Sequence, residues 1–165
     1  MAKQSLKGED LAAARAAFLG RLKAVADAQL LLGDDHTTAA KLDDLVLSTL
    51  RPFVSEQQPT LISGPPLLLP PKQALTLTIA AHELATNSMK YGALSVPSGR
   101  VSITWDCVRK GGEEKLSLAW RESGGPPVET PNTTGFGTRM IKQALAADFE
   151  GSVELNYDRE GVTYS

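Results

Sequence analysis

The period of the apolar residues changes near the middle of the chain, and this change constrains the fold more than any other feature. Residues 71–91 repeat apolar side chains at helical spacing, and Pro71 suits the first turn of a helix. Residues 101–107 and 116–120 alternate apolar and polar side chains, which is the period of a half-buried strand. A Lys110-Gly111-Gly112 turn joins these two segments, so they predict an antiparallel hairpin.

The other periodic segments place further helices and strands around this centre. Apolar residues at helical spacing predict three more helices, at 9–32, 39–53 and about 136–148. Short alternating or bracketed apolar runs predict strands at 60–63, 67–69, 151–157 and 162–165. Helices first, then mixed helices and antiparallel strands, predict an α+β sandwich of two layers preceded by a long N-terminal helix.

Composition excludes several classes of protein. The 165 residues carry a formal net charge of −2, which argues against a nucleic-acid binder driven by bulk charge. The one cysteine, Cys107, excludes a disulfide framework and a cysteine-based zinc site. No apolar run approaches the ~20 residues of a membrane span, and residues 1–5 lack the core of a secretory signal. We therefore expect a soluble cytoplasmic domain without nucleic-acid or membrane contact; its parent protein can still be membrane-bound.

The densest polar cluster lies near the end of the predicted helix at 71–91. Glu83 and Asn87 are four residues apart and Asn87 and Lys90 are three apart, so the three side chains share one helix face. A carboxylate, an amide oxygen and an ammonium group suit a bound Mg²⁺–phosphate, because Mg²⁺ takes one or two protein oxygens together with phosphate and water. A solvated helix face with a capping asparagine explains the same spacing.

Two glycine-containing segments follow. At Glu122-Ser123-Gly124-Gly125, a strand ends in a carboxylate that can accept a hydrogen bond from a base amino group, beside glycines that permit close approach of a ligand. The alternative is a plain strand-to-loop turn. Gly135-Phe136-Gly137 opens a predicted helix, where free N–H groups and the helix dipole favour phosphate. Alone, Gly-x-Gly is a weak signal, and the GxGxxG of a dinucleotide site is absent from the sequence.

The three motifs in this order resemble the GHKL (Bergerat) ATP-binding fold, and most closely the HWE family of bacterial sensor histidine kinases. That family is named for a histidine in its first box and a Trp-x-Glu in its second. Here His82 opens the His-Glu-Leu-Ala-Thr-Asn-Ser-Met-Lys-Tyr-Gly run, and Trp120 with Glu122 forms the second box. The Gly-Phe-Gly-Thr run at 135–138 matches the family's third box. The resemblance covers roughly residues 18–161.

The resemblance implies a site for Mg²⁺ and ATP. Asn87 would ligate Mg²⁺, and Glu83 would hold a water or Mg²⁺ or act as the base toward the acceptor. Glu122 would take the place of the aspartate that recognises the adenine amino group in most histidine kinases. Lys90 would meet phosphate and Tyr91 the base or ribose. The pocket and phosphate contacts would come from Gly124, Gly125, Gly135, Gly137 and Thr138, with a short ATP lid at 126–134.

The role of His82 stays open between catalysis and a hydrogen-bonded histidine that orients its helix. The family marks its phosphorylated histidine with a His-Arg-x-Lys-Asn run, which is absent here, since the two histidines are His36 and His82. We therefore expect residues 1–35 to be part of a dimerisation helix without the acceptor, and residues 36–165 to be the catalytic domain. The chain alone is then expected to bind ATP without phosphorylating itself.

The leading hypothesis is a protein-histidine kinase domain that passes the ATP γ-phosphoryl to a histidine and then to a response-regulator aspartate. The resemblance implies a receiver domain as partner and a homodimer in the parent protein. Two alternatives remain: a degenerate GHKL domain that binds a partner, and a GHKL ATPase in which Glu83 activates water.

Overall fold

The computed structural model describes residues 15, 19, 20, 22, 26, 39–54, 58, 60–110, 113–127, 136–158 and 161–164. Three α-helices and a five-stranded sheet make up most of this part of the chain. The helices are α1 (Leu42–Leu50), α2 (Pro71–Tyr91) and α3 (Phe136–Asp148). The strands are β1 (Ala40–Lys41), β2 (Thr60–Ser63), β3 (Leu68–Leu69), β4 (Arg100–Lys110), β5 (Glu113–Ser123), β6 (Leu155–Asp158) and β7 (Gly161–Tyr164), and a 3₁₀ helix spans Ala93–Ser95.

The sheet is mixed, with strand order β2-β4-β5-β7-β6. β4 and β5 form the predicted antiparallel hairpin, in register from Arg100 opposite Ser123 to Lys110 opposite Glu113. β2 lies parallel to β4 at one edge, and β7 pairs antiparallel with both β5 and β6. β1 and β3 form a separate two-stranded ribbon. The α+β sandwich predicted from the sequence is confirmed.

The core lies between the helices and one face of the sheet. On β4, the alternating residues Val101, Ile103 and Trp105 are buried, and Trp120 of β5 is 1% exposed. Helix α1 buries a stripe at helical spacing: Leu42, Leu45, Val46 and Leu50. Each such side chain contributes about 1.5–3 kcal/mol on full burial.

Several predicted elements differ in detail from the structure. The helix expected at 39–53 starts at Leu42, because residues 40–41 pair with β3 and Leu42 N donates to Leu67 O at 2.9 Å. Cys107 continues the predicted alternation but is exposed, near the outer end of the hairpin. The strand expected at 151–157 begins at Leu155.

The predicted N-terminal helix is described at few positions. Arg15, Leu19, Gly20, Leu22 and Ala26 are helical, and the rest of 9–32, like the expected boundary at 35, lies outside the described residues. Among the helices that the structure describes, none combines the length and apolarity that a membrane span requires.

Candidate functional site

The C-terminal end of α2 and the end of β5 meet around the carboxylate of Glu122. Ser88 Oγ donates to Glu122 Oε2 at 2.7 Å, and Ala93 N donates to the same oxygen at 2.8 Å. Trp120 Nε1 donates to the other oxygen, Oε1, at 2.9 Å. These three donors join the second box of the sequence motif to the backbone corner that follows α2.

Two glycines allow the backbone to approach this corner closely. A side chain at Gly92 would collide with Glu122 Oε2, and a Cβ at Gly125 would lie 2.8 Å from Ala93 Cα. Gly124 adopts a φ of 68°, a left-handed conformation that favours glycine. Ser98 Oγ also donates to Gly124 O at 3.0 Å, which fixes the turn after β5 against the segment after the 3₁₀ helix.

The predicted phosphate-binding face lies on the last turns of α2. Glu83 is 6% exposed, Asn87 is half-buried and Lys90 is exposed. Tyr91, predicted to meet the base or ribose, is 77% exposed. The helix therefore carries all four residues to the end at which Glu122 is fixed, and their roles toward a ligand stay predictions.

The start of α3 reaches the same end of the molecule. At the opposite end, Asp148 of α3 forms an ion pair with Lys72 Nζ at 2.8 Å and accepts a hydrogen bond from Thr76 Oγ1 at 2.5 Å. Helices α2 and α3 pack on each other, and the start of α2 contacts the end of α3. The two helices therefore run antiparallel. A helix rises about 1.5 Å per residue. The eleven residues from Thr76 to Asn87 on α2 therefore span about 16 Å, and so do the eleven from Asp148 back to Gly137 on α3. The start of α3 therefore lies toward the C-terminal end of α2.

The third motif is described in part. Gly137 and Thr138 belong to the first turn of α3, where backbone N–H groups are free of intrahelical partners. Gly135 and most of the predicted lid at 126–134 lie outside the described residues.

The ion pair between α2 and α3 shifts the pKa of both groups. The hydrogen bond from Lys72 is the main cause that lowers the pKa of Asp148 below 3.8, with a further contribution from Thr76. The hydrogen bond to Asp148 and its negative charge raise the pKa of Lys72 above 10.5. Both groups lie far from Glu122, so the pair braces the two helices and takes no part in the candidate site.

His82 lies on α2 beside two other elements. Its ring meets that of Phe53 edge-to-face, with 5.2 Å between ring centroids. A Cβ added at Gly20 would lie 2.9 Å from His82 Cε1, so the backbone of Gly20 lies close to the imidazole. His82 thus contacts the segment after α1 and lies close to Gly20, and its role stays a prediction.

Sequence reasoning assigned no role to Ser88 or Gly92, both of which contact Glu122. Ser88 is 1% exposed on the buried side of α2, where it follows Leu84 and Ala85 at helical spacing. A polar residue at a buried helical position needs a hydrogen-bond partner, and that signal was readable in the sequence.

Metal ligation is restricted in the described part of the chain. There, no three His, Cys, Asp or Glu side chains cluster in a way that could hold a metal ion. Asn87 offers an amide oxygen and Glu83 a carboxylate, the donor types that Mg²⁺ prefers.

Comparisons with known proteins find histidine kinases. Residues 1–66 match the family model of HWE histidine kinases. A blue-light-activated histidine kinase of Brucella anthropi is 33% identical over 164 residues, which cover 98% of this chain and 33% of that protein. The chain therefore spans about a third of the length of the curated relatives it matches.

Solved structures show the same fold. The histidine kinase domain of the Erythrobacter litoralis EL346 blue-light activated histidine kinase matches with a TM-score of 0.70 and 14% identity, over 90% of this chain and 72% of that one. Histidine kinase ThkA, solved in complex with the response regulator protein TrrA, matches with a TM-score of 0.52 and 16% identity, over 88% of this chain and 46% of that one. The chain is thus similar in sequence to HWE histidine kinases, and the part that the structure describes has the GHKL fold of histidine kinase catalytic domains.

Proposed function

We propose that this chain is the ATP-binding catalytic domain of a cytoplasmic two-component sensor histidine kinase. In the parent protein, it transfers the γ-phosphoryl of ATP to a histidine, for relay to an aspartate of a response regulator. The observation that carries the proposal is the placement of Glu122, held by Ser88 and Ala93 at the end of α2 that also bears Asn87 and Lys90. These hydrogen bonds join two motifs that lie 34 residues apart in sequence.

The residues at this end fit a Mg²⁺–nucleotide. At Gly92 and Gly125 the backbone lies so close to Glu122 and Ala93 that a Cβ would collide with them, which brings the two motif segments together. Asn87 and Glu83 would hold Mg²⁺, which neutralises phosphate charge when bound, and Lys90 would meet phosphate. Tyr91, Gly124 and Gly125 would form the base side of the pocket. The first turn of α3, with Gly135, Gly137 and Thr138, would supply N–H groups to phosphates.

Catalysis of phosphoryl transfer depends mainly on positioning of the reacting groups and on neutralisation of the phosphate charge, and such a site would supply both. The parent kinase is proposed to act as a homodimer with a receiver domain as partner. Residues 1–35 would belong to its dimerisation helix and residues 36–165 to the catalytic domain.

Calorimetric titration with ATP, with and without Mg²⁺, tests the proposal. Asn87→Ala should weaken binding of Mg²⁺–ATP by at least about tenfold, since it removes a metal ligand, and should change metal-free ATP binding much less. Asn156→Ala is the matched control, because Asn156 is an exposed asparagine on β6. It should bind as the wild type does.

Two other results would replace the proposal. Absence of binding at millimolar ATP in the wild type would point to the degenerate, partner-binding domain. Steady release of phosphate by the isolated chain, abolished in Glu83→Gln, would point to the ATPase.

A further inference from the structure

Trp120, Glu122 and Ser88 form one hydrogen-bonded unit. Trp120 Nε1 donates to Glu122 Oε1 at 2.9 Å, and Ser88 Oγ donates to Oε2 at 2.7 Å. Ser88 Oγ in turn accepts from Leu94 N at 3.1 Å, which ties the unit to the 3₁₀ helix. Ser88 and Trp120 are each 1% exposed, so packing holds both donors in place.

The two oxygens of Glu122 differ in how many donors they receive. Each carboxylate oxygen has two lone pairs. Oε2 receives two donors, from Ser88 Oγ and Ala93 N. Oε1 receives the Trp120 indole. Within the part of the chain that the structure describes, the acceptor site of Glu122 left for a ligand is therefore the second lone pair of Oε1.

The carboxylate cannot easily turn to offer another lone pair. The backbone of Gly92 lies so close to Oε2 that a Cβ there would overlap it. Rotation of the carboxylate would break the bonds from both buried donors, each worth more than a neutral hydrogen bond because the acceptor is charged. The direction of the open site on Oε1 is thus set by Ser88 on one side and Trp120 on the other.

We propose that Ser88 and Trp120 are positioning residues that set base selectivity, because they fix Glu122 with a single open acceptor site on Oε1. The inference rests on the proposed function, since it takes a nucleotide as the ligand. A base with an exocyclic amino group satisfies this acceptor with one N–H. A base that carries a carbonyl oxygen in place of the amino group brings two acceptor oxygens together, its own and Oε1. A base that carries only hydrogen at that position leaves the lone pair of Oε1 without a donor.

The test compares ATP with purine riboside triphosphate, which carries hydrogen in place of the amino group. Calorimetry gives the ratio of the two affinities for the wild type, Ser88→Ala and Trp120→Phe. The wild type should prefer ATP by at least about tenfold, since the lost bond is to a charged acceptor. In each variant the carboxylate has lost one of its three donors and is held less firmly, so the ratio should fall to about threefold or less.

Two matched variants control for general effects of the substitutions. Ser95→Ala removes an exposed hydroxyl that donates to Gly92 O at 2.7 Å in the same corner. Trp105→Phe removes an indole N–H that donates to Pro65 O at 2.8 Å, away from Glu122. Both should keep the wild-type ratio, whatever they do to stability.

The possible results distinguish a failure of the proposed function from a failure of the positioning role of Ser88 and Trp120. A wild type that binds neither nucleotide overturns the proposed function. A wild type that discriminates, with variants that keep the full ratio, overturns the positioning role and leaves the proposed function standing. Because Ser88→Ala leaves the Leu94 N–H without its acceptor and can unfold the chain, Trp120→Phe decides in that event; circular dichroism establishes which variants are folded.

Discussion

Glu122 should stabilise the folded chain even without nucleotide, and Glu122→Gln measures by how much. The carboxylate accepts three hydrogen bonds from the protein, on both of its oxygens. A glutamine has one oxygen, and its amide NH₂ must then face a donor. The less costly orientation keeps the oxygen toward Ser88 and Ala93 and turns the NH₂ group toward the Trp120 indole.

The magnitude follows from these contacts. Loss of one hydrogen bond to a charged group costs about 1.5–3 kcal/mol, and the two bonds that remain lose their charge assistance. Together these effects should lower the free energy of unfolding by roughly 2–4 kcal/mol. For a chain of this length the midpoint of thermal unfolding should fall by roughly 4–16 °C.

Urea and thermal unfolding without nucleotide provide the assay. Glu154→Gln is the matched control, because Glu154 is exposed and the same change of charge occurs there. If Glu122→Gln unfolds within about 0.5 kcal/mol of that control, the three donors contribute no net stability and the reasoning is refuted.

Three further predictions concern other contacts. Asp148→Asn should make the loss of stability at acid pH shallower. The pKa of Asp148 in the folded chain lies below 3.8, so its ion pair stabilises the fold above that pH. The stabilisation is lost as the pH falls through the folded-state pKa. An unchanged limb in thermal melts would contradict this. Gly20→Ala should destabilise the wild type by about 1–3 kcal/mol through overlap with His82, yet stabilise the His82→Ala variant through helix propensity; effects of equal sign in urea unfolding would exclude the contact. Gly125→Ala should cost about 1–3 kcal/mol and weaken ATP binding, because the new Cβ meets the Ala93 backbone; unaltered calorimetric affinity would place the pocket elsewhere.

Local periodicity predicted most of the elements. The bounds of α2, β2 and α3 agree with the structure, because each segment has its own apolar pattern and, in α2, a proline at the start. The hairpin was predicted for the same reason and because its connection is short. Strand β3 was predicted at 67–69 from its bracketing prolines, whereas the 3₁₀ helix and strand β1 were missed, since two- and three-residue elements carry no period.

The sequence predicted which helix carries the candidate residues, but not the hydrogen bonds that join this helix to β5. The spacing of Glu83, Asn87 and Lys90 placed them on one helix, as the structure has them. The hydrogen bonds that join Ser88 to Glu122 cross 34 residues of sequence, and no local pattern encodes such a contact. The contact of His82 with Gly20 is likewise a tertiary one, visible only when the N-terminal helix is placed against α2.

The mixed pairing of β4 has a consequence for the order in which the chain folds. Its antiparallel partner β5 follows after two residues, so loop closure is entropically cheap and the hairpin can form early. Its parallel partner β2 is separated from β4 by α2, so that pairing must wait until a crossover of nearly 40 residues has docked. The Glu122 corner depends on that same docking, because it needs the end of α2 beside β5. Folding should therefore complete the site last, after the hairpin has already presented Trp120 and Glu122 in register.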